Sequence, residues 1–159
     1  MTLSSWALAL ESSALGEWMR ASALAYPIAN VLHLLGLVSL VGPIVLLDLR
    51  LLGWRRDFEL PAVSRALTKC AVGGLIILAV TGFAMFSADA GPLLSSGVMR
   101  AKLCVIALGV LNAVVFRALW SSQLDKWDQR PPLLGRLQSL ASILLWLTAG
   151  TLGRWIAYF

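Results

Sequence analysis

His33 is the single histidine of a 159-residue chain, and it sits in "IANVLHLLGL", Ile28 to Leu37, with apolar residues on both sides. An imidazole in such a run either hydrogen-bonds to a neighbouring helix or presents a ring nitrogen to a ligand. For the first role, Asn30, Thr81, Thr148 and Thr151 lie at matching depth, and such an interhelical bond is worth about 1 kcal/mol or less. For the second, Met85 and Cys104 fall at a similar depth on two other apolar segments. Imidazole, thioether and thiolate together suit copper(I), making His33, Met85 and Cys104 a candidate metal set. His33 with Met85 or Met99 is equally an axial pair for a b-type haem, whereas one histidine excludes a bis-histidine haem within one chain. Lys102 and Arg154, with Asp89 and Arg100, fall at the rim above His33. There they can form an ionic cluster, or hold a propionate or phosphate group beside a cofactor on His33 and Met85. Met and Cys in apolar helices are usually core filler, so the hydrogen-bonded role is preferred for His33 and the ligand role kept as its alternative.

A second group lies further along. "VLLDLRLLGWRR" puts Asp48 and Arg50 near the far end of the His33 segment. Two residues apart on a helix, they point to different faces. Arg117 and Lys69 reach the same level on other segments, so a structural ion pair from Asp48 to Arg117 or to Lys69 is expected. Gly109 and Asn112 share a helix face that suits close approach and an interhelical hydrogen bond. The familiar hydrolase and phosphoryl-transfer signatures (GxSxG, a P-loop, HExxH) do not occur, and no catalytic residue is identified. Cys70 and Cys104 form no CxxC or other thiol pair, which argues against a disulfide framework.

These residues must be held by helices in a bilayer. Hydrophobic residues make up 59% and charged residues 13% of the chain, too few polar groups to cover a water-soluble surface of this size. Four stretches reach the roughly 20 helical residues that span a hydrocarbon core: about Tyr26 to Leu52, Ala66 to Ala88, Met99 to Ser121 and Leu137 to Tyr158. Pro43 is expected to bend the first. The net charge of +5 needs no nucleic acid, because the basic residues cluster at the ends of apolar runs. Arg50, Arg55, Arg56, Arg65, Lys69, Arg117, Lys126, Arg130 and Arg136 gather at one end of the spans, and Arg20, Arg100, Lys102 and Arg154 at the other. The positive-inside rule then puts both connecting loops in the cytoplasm and both termini outside. Trp54, Trp120, Trp127, Trp155 and Tyr158 fall where an aromatic belt would lie, while "ADAGP" and "QRPP" are turn chemistry.

The first 20 residues lack the basic n-region of a secretory signal, and Glu11 and Glu17 interrupt their apolar stretch. Ala7, Leu10, Ala14, Trp18 and Ala21 repeat at helical spacing. They predict one amphipathic helix over 4–22, lying in the membrane interface or packing over the bundle mouth. The expected fold is thus all-α, a single membrane domain over 1–159: a four-helix up-down bundle with that N-terminal helix. Its function is expected to be that of a non-catalytic packing or accessory membrane subunit, associating with itself or another membrane protein. A small haem- or copper-binding membrane protein centred on His33 is the alternative.

"NVLHLLGLVSLVGPIVLLDLRLLG" (Asn30 to Gly53), "TGFAMFSADA" and "KLCVIALGVLNAVVF" together resemble, over nearly the whole chain, a family of small four-helix bacterial inner-membrane proteins of unknown function. That family is distantly similar in layout to copper-resistance proteins of the D type and to four-helix b-type cytochromes. The resemblance implies a multi-pass protein of a bacterial inner membrane. One departure stands out: the resemblance would place a histidine after "NAVVF", and this chain has Arg117 there.

Overall fold

The computed structural model describes residues 3–156 and 158, and among them every regular element is helical. The helices are α1 (Leu3–Glu11), α2 (Ala14–Ala21), α3 (Ala25–Leu52), α4 (Leu60–Ala88), α5 (Ala90–Ser95), α6 (Gly97–Trp120) and α7 (Leu133–Trp155), with a 3-10 segment, Ser121–Lys126, prolonging α6. Four of them, α3, α4, α6 and α7, are long and apolar enough to cross a membrane. This is the length and composition of a multi-pass membrane protein, and the apolar residues exposed along these helices, Val38, Val80, Val114 and Leu144 among them, face where hydrocarbon would lie.

Local chemistry explains the helix ends. Gly53 takes φ +111, and its N–H and that of Trp54 bond Arg50 and Leu49 carbonyls to stop α3; only glycine adopts that conformation without strain. Helix α4 starts at Leu60, earlier than apolarity alone suggests, because Pro61 occupies its first turn, where a missing N–H costs nothing. Pro43 sits inside an unbroken α3.

The closest crossing joins α3 to α4. A Cβ on Gly74 would come within 2.6 Å of the Leu40 nitrogen and 2.8 Å of the Gly36 carbonyl, so the two backbones touch as small-residue interfaces allow. Leu40, Ala71 and Trp146 form the central core where α3, α4 and α7 meet, and a Cβ on Gly109 of α6 would stand 3.1 Å from the Trp146 indole. The helices therefore run α4–α3–α7–α6 around the bundle. The fourth side is different: no Cα of α4 comes within 8 Å of one in α6, which leaves a lengthwise seam.

At the N-terminal mouth the single helix expected over 4–22 is two. Ser12 and Ser13 bend their hydroxyls back to the Leu8 and Leu10 carbonyls, and Ser13 then caps α2 by accepting from Gly16 N–H. The break resets the helical register. The residues buried are Ala7, Gly16 and Met19, while Trp18 is 58% exposed. Side chains tie this pair to the bundle: Glu11 Oε1 accepts from Gly91 N–H at 2.7 Å, and Arg20 donates to the Ala88 carbonyl at 2.8 Å. Of the two placements considered, packing over the mouth is the one these contacts describe. "ADAGP" forms the start of α5 rather than an open turn.

Candidate functional site

His33 projects from α3 toward α4, where its Nδ1 lies 2.9 Å from Thr81 Oγ1. The Thr81 hydroxyl hydrogen is already given to the Ile77 carbonyl, at 2.6 Å. Its oxygen can therefore only accept from the imidazole, which fixes the proton on Nδ1 and leaves Nε2 as a lone pair. The ring also packs against Gly82, whose Cβ, if it had one, would be 3.1 Å from Cε1. Of the four hydroxyl and amide partners considered by depth, Thr81 is the one used; Asn30, Thr148 and Thr151 are exposed.

Lys102 reaches the same level from α6. It is half-buried, and its Nζ would lie 3.3 Å from a Cβ on Gly153 of α7. No hydrogen bond or ion pair holds Lys102 among the described residues. His33 thus has one ring nitrogen committed to Thr81, and Lys102 lies half-buried at a similar level without a hydrogen-bond partner among those residues. Coulomb repulsion from that ammonium opposes a bare metal cation at Nε2 and favours a group bearing negative charge.

The other proposed ligands have different surroundings. Met85 joins the apolar cluster of Met19, Ala25, Ala29 and Ala88 beneath the mouth. Cys104 is exposed, as is Cys70. Arg154 turns to Tyr158, donating to its hydroxyl at 2.9 Å with the guanidinium 5.3 Å from the ring centre. Arg100 extends to the Ser95 carbonyl. Among the described residues no group of three His, Cys, Asp or Glu side chains converges as a metal site would require. Among the described residues, no hydrogen bond or ion pair joins His33 to Met85, Cys104, Lys102 or Arg154.

At the other end the expected bridge from Asp48 to Arg117 or Lys69 is replaced by another. Arg50, 3% exposed, donates through both terminal nitrogens to Asp128, at 2.8 and 2.7 Å, and to the Phe58 carbonyl. Asp128 comes from the loop after α6, so the clamp closes α3 onto both connections. Its carboxyl is held below the ordinary 3.8 chiefly by the hydrogen bond from Arg50. Asp48 turns inward instead, toward Ser142, and its Oδ2 is buried without a hydrogen-bond partner among the described residues. Arg117 donates to Thr68. Beside the clamp, Trp127 is buried rather than in an aromatic belt, and its indole N–H donates to the Leu51 carbonyl at 2.9 Å. Sequence spacing carries no signal for either contact, since Asp128 and Trp127 lie 78 and 76 positions from their partners. The Gly109–Asn112 face behaves as anticipated: Asn112 donates to the Gln138 carbonyl of α7 at 3.1 Å, and the Gln138 amide oxygen accepts from Trp120.

The model of a family of unknown function, DUF6644, matches residues 6–159. The chain belongs to that family. No curated protein and no solved structure matches. Membership in DUF6644 extends over the two mouth helices as well as the four long ones, so the mouth assembly and the bundle are one family unit.

Proposed function

We propose that this DUF6644 protein is a non-catalytic membrane subunit, packing with copies of itself or with another membrane protein. The observation that carries this reading is where the polar side chains that bridge between elements are directed. Arg50, Trp127, Asn112, Trp120, Glu11 and Arg20 each bond to groups of this same chain. They lock helices together rather than converging on a space where a substrate would sit. We place the protein in a bacterial inner membrane with both termini in the periplasm; nine of the thirteen Lys and Arg residues at the loop end of the bundle, against four at the mouth, support that orientation. The test is purification of the full chain in mild detergent after in-membrane crosslinking. Recovery of a defined oligomer or a stoichiometric partner, with no bound chromophore, is expected. A monodisperse, uncrosslinked monomer would overturn the subunit reading.

A second reading rests on one specific feature. Thr81 fixes the His33 tautomer and leaves Nε2 available, with Lys102 half-buried on α6, the way an outer hydrogen bond orients a histidine ligand. Under this reading the protein is a small haem- or copper-binding membrane protein. The Lys102 charge argues for a ligand bearing an anionic group, such as haem with its propionates, over a bare copper ion. Iron and copper per chain, measured by elemental mass spectrometry on wild type and His33→Ala, separate the two readings. Near-stoichiometric metal lost in the variant supports the second; metal absent from both, after growth with copper and haem precursors supplied, removes it.

A further inference from the structure

The open seam between α4 and α6 has a basic end. Arg65 and Lys69 stand one turn apart on α4, and Arg117 faces them from α6; with Thr68 and Val72 they line a groove of about 280 Å³. Arg117 Nη1 donates to Thr68 Oγ1 at 3.3 Å, which aims the guanidinium across the seam. Among the described residues no carboxylate pairs with these cations. Among the described residues the recorded ion pair is Arg50 with Asp128, and Asp57, Glu59 and Asp125 line a different groove around that clamp. Three like charges therefore converge without a counter-charge, which costs self-repulsion unless an anion neutralises them.

The groove's position and walls say which anion. Arg65 is five residues into α4 and Arg117 three from the end of α6, the depth of phospholipid headgroups in a helix that spans the core. Beyond the cations the groove turns apolar: Val72 is its deepest lining residue on α4, and helical spacing continues that side as Ile76 and Val80, exposed by 59% and 66%. Val114, 59% exposed, continues the Arg117 side of α6. A soluble anion would use the charges alone. A molecule with a phosphate at one end and a hydrocarbon chain below it uses both.

We propose that the α4–α6 seam is a binding site for an anionic phospholipid, its phosphodiester held by Arg65, Lys69 and Arg117 and the first part of an acyl chain lying on Val72. Arginine supplies paired N–H donors to phosphate oxygens, lysine a point charge. A basic cleft between membrane helices is the general form of such sites. The lipid would fill the side that helix packing leaves open and hold α4 against α6, without contributing to either reading of His33.

The test is native mass spectrometry of the full detergent-purified chain, offered equal amounts of phosphatidylglycerol and phosphatidylcholine. Wild type is expected to retain the anionic lipid preferentially. Each of Arg65→Gln, Lys69→Gln and Arg117→Gln should weaken that preference about fivefold, the factor for one basic residue near an anionic surface. The combined variant should bring the two lipids close to parity. A control that removes three charges at the same end but outside the groove, Arg55→Gln with Lys126→Gln and Arg130→Gln, should keep the preference. Helical content and elution volume verify the fold, and the single variants stand if the combined one fails it. Equal retention of both lipids by wild type overturns the proposal, as does an equal loss in the control, which would mean diffuse surface charge. Displacement of phosphatidylglycerol by equimolar inorganic phosphate would make the groove a soluble-anion site instead. A wild-type dimer dispersed by the groove variants would put a second copy in the seam.

Discussion

Arg50 keeps its guanidinium 3% exposed by giving its donors to Asp128 and to the Phe58 carbonyl. Truncating it removes a charged anchor and leaves a carbonyl and a carboxylate without their donor, so Arg50→Ala should cost about 3 kcal/mol, read as a lower thermal midpoint in detergent. Asp128 is the opposite case. Its side chain is 40% exposed, so its loss should cost only about 1 kcal/mol at neutral pH. Because Arg50 lowers its folded-state pKa, that contribution is present above the ordinary carboxylate value of 3.8 and is lost as pH falls through the lower folded value. Wild type should therefore exceed Asp128→Asn in thermal midpoint at pH 7, and the gap should narrow as pH falls below 3.8 toward the lower folded value. A gap that acidification leaves unchanged would show that the pair is not the cause. At His33, Thr81→Val removes the Nδ1 acceptor at about 1 kcal/mol or less. It should also free the ring tautomer, detectable in the imidazole 15N shifts.

Helix α4 depends on a glycine that no hydropathy profile marks. Any side chain at Gly74 would enter the α3 backbone, with contacts of 2.6 and 2.7 Å to Leu40 N and the Ser39 carbonyl carbon. Gly74→Val should separate α3 from α4 and cost about 3 kcal/mol or more, whereas Gly73→Ala, where an added Cβ meets nothing within 4 Å, should leave the thermal midpoint nearly unchanged. The two neighbouring glycines thus form an internal control. In α2 the cap is the sensitive point: Ser13→Ala removes the acceptor for Gly16 N–H and should cost about 1 kcal/mol, seen as faster proteolysis between α1 and α2. Ser12 and Ser13 were visible in the sequence, yet the apolar repeat read straight through them. Hydroxyls that cap a helix and hydroxyls that face solvent mid-helix have the same spacing until their hydrogen bonds are known.

For the molecule as a whole, orientation is a prediction of charge asymmetry. A reporter fused after the C-terminus should be active only on the periplasmic side. Removing positive charge from Arg55, Arg56, Lys126 and Arg130 should raise the inverted fraction, because these four lie in the connections outside α3, α4, α6 and α7. The Arg50–Asp128 clamp and the mouth assembly close the two ends of the bundle, and the α4–α6 seam leaves one side of it open.

The amino-acid sequence alone determined that the chain is all-helical, that four helices are long and apolar enough for a membrane, and that Gly109 and Asn112 face a neighbouring helix. Those properties follow from hydropathy summed over some 20 residues and from helical periodicity, both local quantities. It also narrowed the partner of His33 to four residues by depth. Which of them it meets was decided by tertiary structure, because depth along a helix fixes height but not the direction a side chain faces. The same ambiguity explains why Arg50 rather than Asp48 forms the ion pair and why Trp127 is buried: two residues on adjoining faces have equal claims until the helices' rotations are set. The unequal spacing around the bundle that leaves α4 apart from α6 is likewise a packing outcome, fixed by Gly74 drawing α4 to α3 and by Trp146 and Gly109 drawing α6 to α7.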